Sequence, residues 1–166
     1  MVIDHIDRVA YAVRSERTHP IALERFCTQF SFEPMVFSAK DPSGFDIYHT
    51  NVLMCVGTDF VMIGLDMITN PGRRREIINR FERAGRRVIG LTNTQIEKFA
   101  GNAIELLGGN GRILALSTTA LLALTTDQID MIGESARLLP LAIPTIERAG
   151  GSVRCTIAGV HLTPRD

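Results

Sequence analysis

The 166-residue chain has no net charge, since 18 lysines and arginines balance 18 aspartates and glutamates. Without a global field, nucleic acid and anionic membranes are not expected partners, and a small neutral or zwitterionic compound fits better. Cysteine is scarce. Cys27, Cys55 and Cys155 are odd in number, widely spaced and without a C-x-x-C pair, which argues against a disulfide framework and a zinc site. Neither a metal nor another cofactor is expected, and three reduced thiols fit a cytoplasmic protein. Long apolar runs are missing too. "MVIDHIDRVAYAV" is interrupted by Asp4, Asp7 and Arg8, so secretion is not expected. "ILALSTTALLAL" is too short and too rich in Ser and Thr to span a bilayer.

What is present is 45% hydrophobic residue content over a length that favours one core, hence a single domain across residues 1–166. "RVAYAV" is β-rich. In "SERTHPIALERFCTQF", Thr18 or His19 caps a helix with Pro20 at its first position and an apolar stripe through Leu23, Phe26 and Phe30. "PMVFSA" follows as a strand. After the turn "DPSG", "NVLMCVGTDFVMIGL" reads as a hairpin around Gly57, Thr58 and Asp59. Next come a helix over residues 71–84, with Ile77, Ile78 and Phe81 on one face, and the strand "RVIGL". "NAIELLGGNGRILALS", the amphipathic "TTDQIDMIGESARLL" and the strand "LPLAIP" repeat the order. The pattern is a ββαβ module occurring about two and a half times, closed by a last strand "SVRCTIAGV"; units of this size bury their apolar faces only by stacking. Seven arginines fall within residues 73–87. With core-spaced Ile77, Ile78 and Phe81 among them, they read as the solvated face of a helix, not as an anion-binding patch.

Cysteine is among the most buried residue types, so Cys27 and Cys55, inside periodic apolar patterns, read as core. Cys155 differs. In "AGGSVRC" it follows Gly150 and Gly151, which permit positive φ and close backbone approach to a ligand, and Ser152, which can cap the turn. On these residues alone, core thiol and nucleophile both stay open. A nucleophilic thiol needs a base or cation. His5 and His19 read as surface residues, and His161, six residues along the expected strand, would lie about 20 Å from Cys155, beyond proton transfer. His49 in "YHTNVLMC" stands at the mouth of a buried strand, with Asn51 on the same face by strand parity.

"YHTNVLMCVG", "TQIEKFAGNAIEL" and "TIERAGGSVRCTIAGV", in that order and at these intervals, resemble the guanidino-group modifying enzymes of the pentein, or α/β-propeller, superfamily. The nearest group is the arginine-deiminase-related amidinotransferases with the citrulline-utilisation hydrolases; arginine deiminase and dimethylarginine dimethylaminohydrolase are more distant. The resemblance covers essentially the whole chain. It implies an α/β (α+β) fold of five ββαβ blades round a central site, of which this chain would be the C-terminal half. It also implies Cys155 as nucleophile and His49 as general acid/base, with Asn51 and Gly151 as substrate-binding positions and no metal. The implied function is a Cys hydrolase or amidinotransferase acting on an arginine- or citrulline-related small molecule through a thiouronium-like intermediate. The alternative is a catalytically silent fragment that binds a ligand or a partner. Many relatives carry an acidic residue where this chain has Asn51; an amide offers only neutral hydrogen bonds, so a ureido or less basic substrate is expected. An opened propeller would expose an apolar flank and a strand edge, which predicts a homo-oligomer, in the first place a two-fold dimer.

Overall fold

β-Branched and aromatic residues between turn signals set nine short strands among residues 1–159, which the computed structural model describes; they form three three-stranded sheets. In the first, β1 (Val2–Asp4) pairs antiparallel with β2 (Val9–Val13), and α1 (Pro20–Phe30) carries the chain over to β3 (Glu33–Phe37), parallel to β2. The second repeats this with β4 (Met54–Val56), β5 (Phe60–Ile63), α2 (Pro71–Arg83) and β6 (Arg87–Gly90). A short helix α3 (Asn93–Glu97) leads to the third: β7 (Ile104–Gly108), β8 (Gly111–Ser117), α4 (Thr118–Ala123), α5 (Thr126–Gly133) and β9 (Arg137–Leu141). The chain continues through α6 (Pro144–Arg148) to the single turn α7 (Val153–Thr156).

Two expectations change. Three complete ββαβ modules replace two and a half, because the charged opening residues hide β1. Asp4 sits buried in that strand, where Arg86 meets its carboxylate at 3.0 Å. The expected last strand is also helical where it carries Cys155. Cys155 donates its backbone N–H to Ser152 O at 3.0 Å, and Arg154 N–H goes to Asn102 O at 3.3 Å, so this backbone is bonded locally and to a loop rather than to a sheet. His161 lies outside the described residues.

Stacking of the modules explains the core. Val2, Tyr11 and Met35 stand in register on one face of the first sheet, and on the other Ile3 lies opposite Ala10 and Ala12 opposite Val36. The second face is closed by Leu23 and Cys27 of α1. The first face is closed by the next module's α2: the Tyr11 and Phe81 rings stack at 4.9 Å, and Arg80 reaches Glu33 at 2.8 Å. The device recurs one module on, where Gln128 of α5 donates to Gly90 O at 2.8 Å and Arg87 pairs with Glu134 at 2.8 Å. In the arginine-rich helix, Ile77 and Phe81 are fully buried, while Arg73 pairs with Glu76 one turn along the same helix and Arg74 and Arg80 pair with Asp66 and Glu33 on neighbouring elements, as a solvated helix face would. No helix among the described residues is long and apolar enough to cross a membrane.

Arg86 is the deepest polar tie. Its side chain is 2% exposed; it pairs with Asp4 and Asp7 of the first module and donates to Gly57 O and Thr58 O of the second module's hairpin at 3.0 and 3.1 Å. Removing one partner of a buried pair strands the other. Arg86→Ala is expected to lower unfolding free energy by about 3 kcal/mol or more, read from urea denaturation; an unchanged midpoint would contradict this role.

Candidate functional site

The segments that leave the third strand of each module meet at one place. The first contains His49, which caps a 3-10 turn, Thr50–Val52. Thr50 is buried, and its hydroxyl oxygen accepts the N–H of Val13 at 2.9 Å, tying the turn to the end of β2. The expected strand parity of His49 and Asn51 is therefore absent: the tie to β2 coils this segment before β4 begins. The second segment is α3 and the following "FAGN". A capping box between Thr92 and Gln95 starts α3, and Gln95 donates to Ala123 O at 2.9 Å, fixing the helix on the third module. Phe99 holds a left-handed φ of 63°. A Cβ on Gly101 would lie 2.5 Å from Val52 O, so only glycine lets this turn press against the first segment.

The third segment carries the thiol. Gly150 adopts φ 87° and turns the chain out of α6. Ser152 is fully buried and donates to Glu147 at 3.2 Å; Glu147 also accepts from Thr119 of α4 at 2.7 Å. These bonds anchor the bend to the third module. Buried Val153 then seats α7 and leaves Cys155 exposed.

Together the segments line a cavity of about 270 Å³ that includes Tyr48, His49, Asn51, Asn102, Gly150 and Cys155. Two side-chain amides reach the sulfur: Asn102 Nδ2 at 3.3 Å and Asn51 Nδ2 at 3.5 Å. Asn102 Nδ2 also donates to Asn51 O at 2.9 Å, joining two of the segments. The Tyr48 ring lies 4.7 Å from the His49 imidazole. Desolvation lowers the His49 pKa from its ordinary 6.5, with nearby positive charge, Arg17 included, acting in the same direction. The imidazole is thus held neutral near neutral pH. The wall also holds Asp41 and Glu97 and, among the described residues, no Lys or Arg.

Of the residues singled out in the sequence, His49, Asn51 and Cys155 come to this one cavity. Gly151 does not line it; its neighbour Gly150 does, because the positive φ falls on Gly150, while Gly151 sits beneath the thiol with its Cβ direction 3.5 Å from Cys155 Cβ. Sequence reasoning left Asn102 without a role although "FAGN" was among the marked segments. His19 caps α1 with its backbone, and His5 packs edge-on against Phe32, both remote from the cavity lining. Among the described residues, no group of three His, Cys, Asp or Glu is placed to hold a metal.

The three thiols differ sharply in surroundings. Cys27 and Cys55 are buried; burial pushes both thiols up, Cys55 to about 12, with Glu105 adding to the effect there. At pH 6 Cys155 is expected to be alkylated by iodoacetamide far faster than either, and His49→Ala to remove much of that advantage. Equal, slow labelling at all three positions, read by peptide mass spectrometry, would contradict an exposed and activated Cys155.

A search of solved structures finds the same fold in larger enzymes. ArgZ, an arginine dihydrolase of the ornithine-ammonia cycle in cyanobacteria, aligns with a TM-score of 0.71 at 15% identity over 93% of this chain and 23% of its own. A variant of the ArgZ N-terminal domain, covalently bonded to a reaction intermediate, aligns at 0.70 and 15% identity over 93% of this chain and 52% of that one. AgrE, solved with ornithine and NAD+, gives 0.72 at 16% identity, covering 99% of this chain and 22% of its own. This chain thus spans about half of the ArgZ N-terminal domain and under a quarter of the full-length chains. Among curated proteins no match is found. The family model of eukaryotic N,N-dimethylarginine dimethylhydrolase matches residues 1–162, so this mixed α/β chain of ββαβ modules belongs to that arginine-related, pentein-type family, the dimethylarginine branch of the group its motifs resemble.

Proposed function

We propose that the chain forms a Cys/His hydrolase site for the guanidino or ureido group of an arginine-related small molecule. One observation carries this reading: an exposed thiol and an imidazole, far apart in sequence, line one cavity whose wall, among the described residues, offers hydrogen-bond acceptors and no Lys or Arg. That lining favours a planar, donor-rich group. Neutral His49 takes the Cys155 proton, and the thiolate attacks the trigonal carbon to form a C–S bond. The imidazolium returns that proton to the leaving amine as its C–N bond breaks. His49 then takes a proton from water, the oxygen adds to the same carbon, and the C–S bond breaks as the imidazolium returns that proton to the sulfur, restoring the thiol and the neutral imidazole. An amine in place of water would make the step an amidinotransfer.

In this reading the three modules are part of a five-bladed ring, and Asn51, lacking a charge, favours the less basic ureido substrates. Cys155→Ser and His49→Ala are each expected to cut turnover of arginine, dimethylarginine or citrulline, followed by mass spectrometry of products, by about 100-fold or more. Because the His49 pKa is lowered from 6.5, the imidazole loses its base form only below that value, so the acid limb of the rate profile is expected below pH 6.5. Wild-type turnover by Cys155→Ser would overturn the reading. Binding of arginine by calorimetry with no turnover would support the second reading, a silent binding module.

The homo-oligomer is proposed on a structural contrast. On the face against the next module's helix, Tyr11, Val13, Met35 and Phe37 of the first sheet and Met54, Val61 and Ile63 of the second are buried, whereas Ile104, Leu106, Ile113, Leu139 and Leu141 on the corresponding face of the third are only half-buried, beside buried Ala115. A second copy covering this face would remove that apolar surface from water. Light scattering at micromolar concentration is expected to give a dimer mass; a monodisperse monomer would contradict it.

A further inference from the structure

We propose that Asn102 is a catalytic group of this site, holding the sulfur of Cys155 with its amide nitrogen and taking an N–H of the bound planar group on its amide oxygen. This rests on the reading of Cys155 as the nucleophile and adds a residue that reading does not use.

Asn102 is 3% exposed. Its Nδ2 serves Cys155 Sγ at 3.3 Å and Asn51 O at 2.9 Å, and its backbone oxygen accepts from Arg154 N–H at 3.3 Å. The side chain therefore touches the reacting atom, and the residue is bonded to both flanking segments. Its Oδ1 is buried and has no hydrogen-bond partner among the described residues. Asn51 repeats the arrangement, with Nδ2 on the same sulfur and a buried Oδ1 that has no partner among the described residues. Buried acceptors are rarely left bare, and those that are mark places where a ligand completes the network.

The residue type is informative. An amide presents donor and acceptor a fixed distance apart; an aspartate in the same place would present acceptors only and set a negative charge beside a developing thiolate. Donors aimed at a sulfur can follow the negative charge that it carries as it attacks. Two amides flanking one sulfur also leave two acceptors near it, suited to a planar group with N–H bonds on both sides, as in a guanidinium, an amidine or a urea. The turn that carries Asn102 is held by an unusual backbone: left-handed Phe99, and a glycine at 101 with no room for a Cβ. Such conformations persist only where surrounding structure over-determines them.

The test reads the thiol directly and needs no turnover, so a chain that fails to hydrolyse any arginine compound still decides it. Alkylation of Cys155 is timed with chloroacetamide, which carries N–H bonds, and with chloroacetone, which carries none. Asn102→Asp, which keeps the shape and loses the donor, is expected to slow both reagents about tenfold. Asn102→Leu, which loses donor and acceptor, is expected to slow chloroacetone by a similar factor and chloroacetamide about fivefold more. Variants that melt like the parent and alkylate at parental rates would overturn the proposal; equal slowing of the two reagents by Asn102→Leu would overturn its substrate half. A measurement on the unaltered chain stands if a variant fails to fold. Blocking Cys155 with methyl methanethiosulfonate is expected to shift the Asn102 side-chain amide proton resonances, and no shift would sink the contact with the sulfur.

Discussion

A three-stranded sheet has two faces, and the helix of its own ββαβ unit covers one of them. The other face is buried only if the next unit brings its helix across, which makes stacking between units the condition for folding any of them. Here that condition is met by aromatic stacking of Tyr11 on Phe81 and by ion pairs that repeat at the same place, Arg80 with Glu33 and Arg87 with Glu134. Arg86 adds a buried polar tie between the first two units, which fixes their relation more specifically than apolar contact alone.

The cavity is a product of that stacking and belongs to no single unit. Each module, after its third strand, sends a short coiled segment toward the same place: the His49 and Asn51 turn, the α3 and Asn102 turn, and the bend that leads to Cys155. The segments then bond to one another. Asn102 donates to Asn51 O, Arg154 donates to Asn102 O, and Gly101 lies against Val52 with no room for a side chain. Groups carried by three stacked units can hold a sulfur, two amides and an imidazole in one geometry, which suits chemistry that depends on position.

Much of the fold was legible. The helix over residues 71–84 was marked by Pro71 and the Ile77 and Phe81 spacing, and α2 spans Pro71–Arg83; Asn70 accepts the Arg73 N–H at 3.0 Å as its cap. The glycine-rich turn after "IELL" joins β7 and β8 as a hairpin. Strand β1 was not legible because Asp4 reads as a solvent residue until its partner, 82 positions away, is known. The helical turn at Cys155 was hidden for a related reason. "SVRCTIAGV" has strand-like composition, and what coils it is a loop carbonyl from Asn102 and the Glu147 clamp on Ser152. In the site, residue types were readable and their geometry was not: His49 and Asn51 were expected to share a strand face and instead share a 3-10 turn.

The sequence by itself determined the repeat, the element types in most of it, and the small set of polar residues from which a site could be made, because periodicity and turn chemistry are local. Only the tertiary structure decided which of those residues meet. Convergence on the Cys155 sulfur depends on hydrogen bonds between segments tens of residues apart, on a glycine chosen by a neighbouring carbonyl, and on a buried charge pair between modules. None of these is encoded in the spacing of residues along the chain.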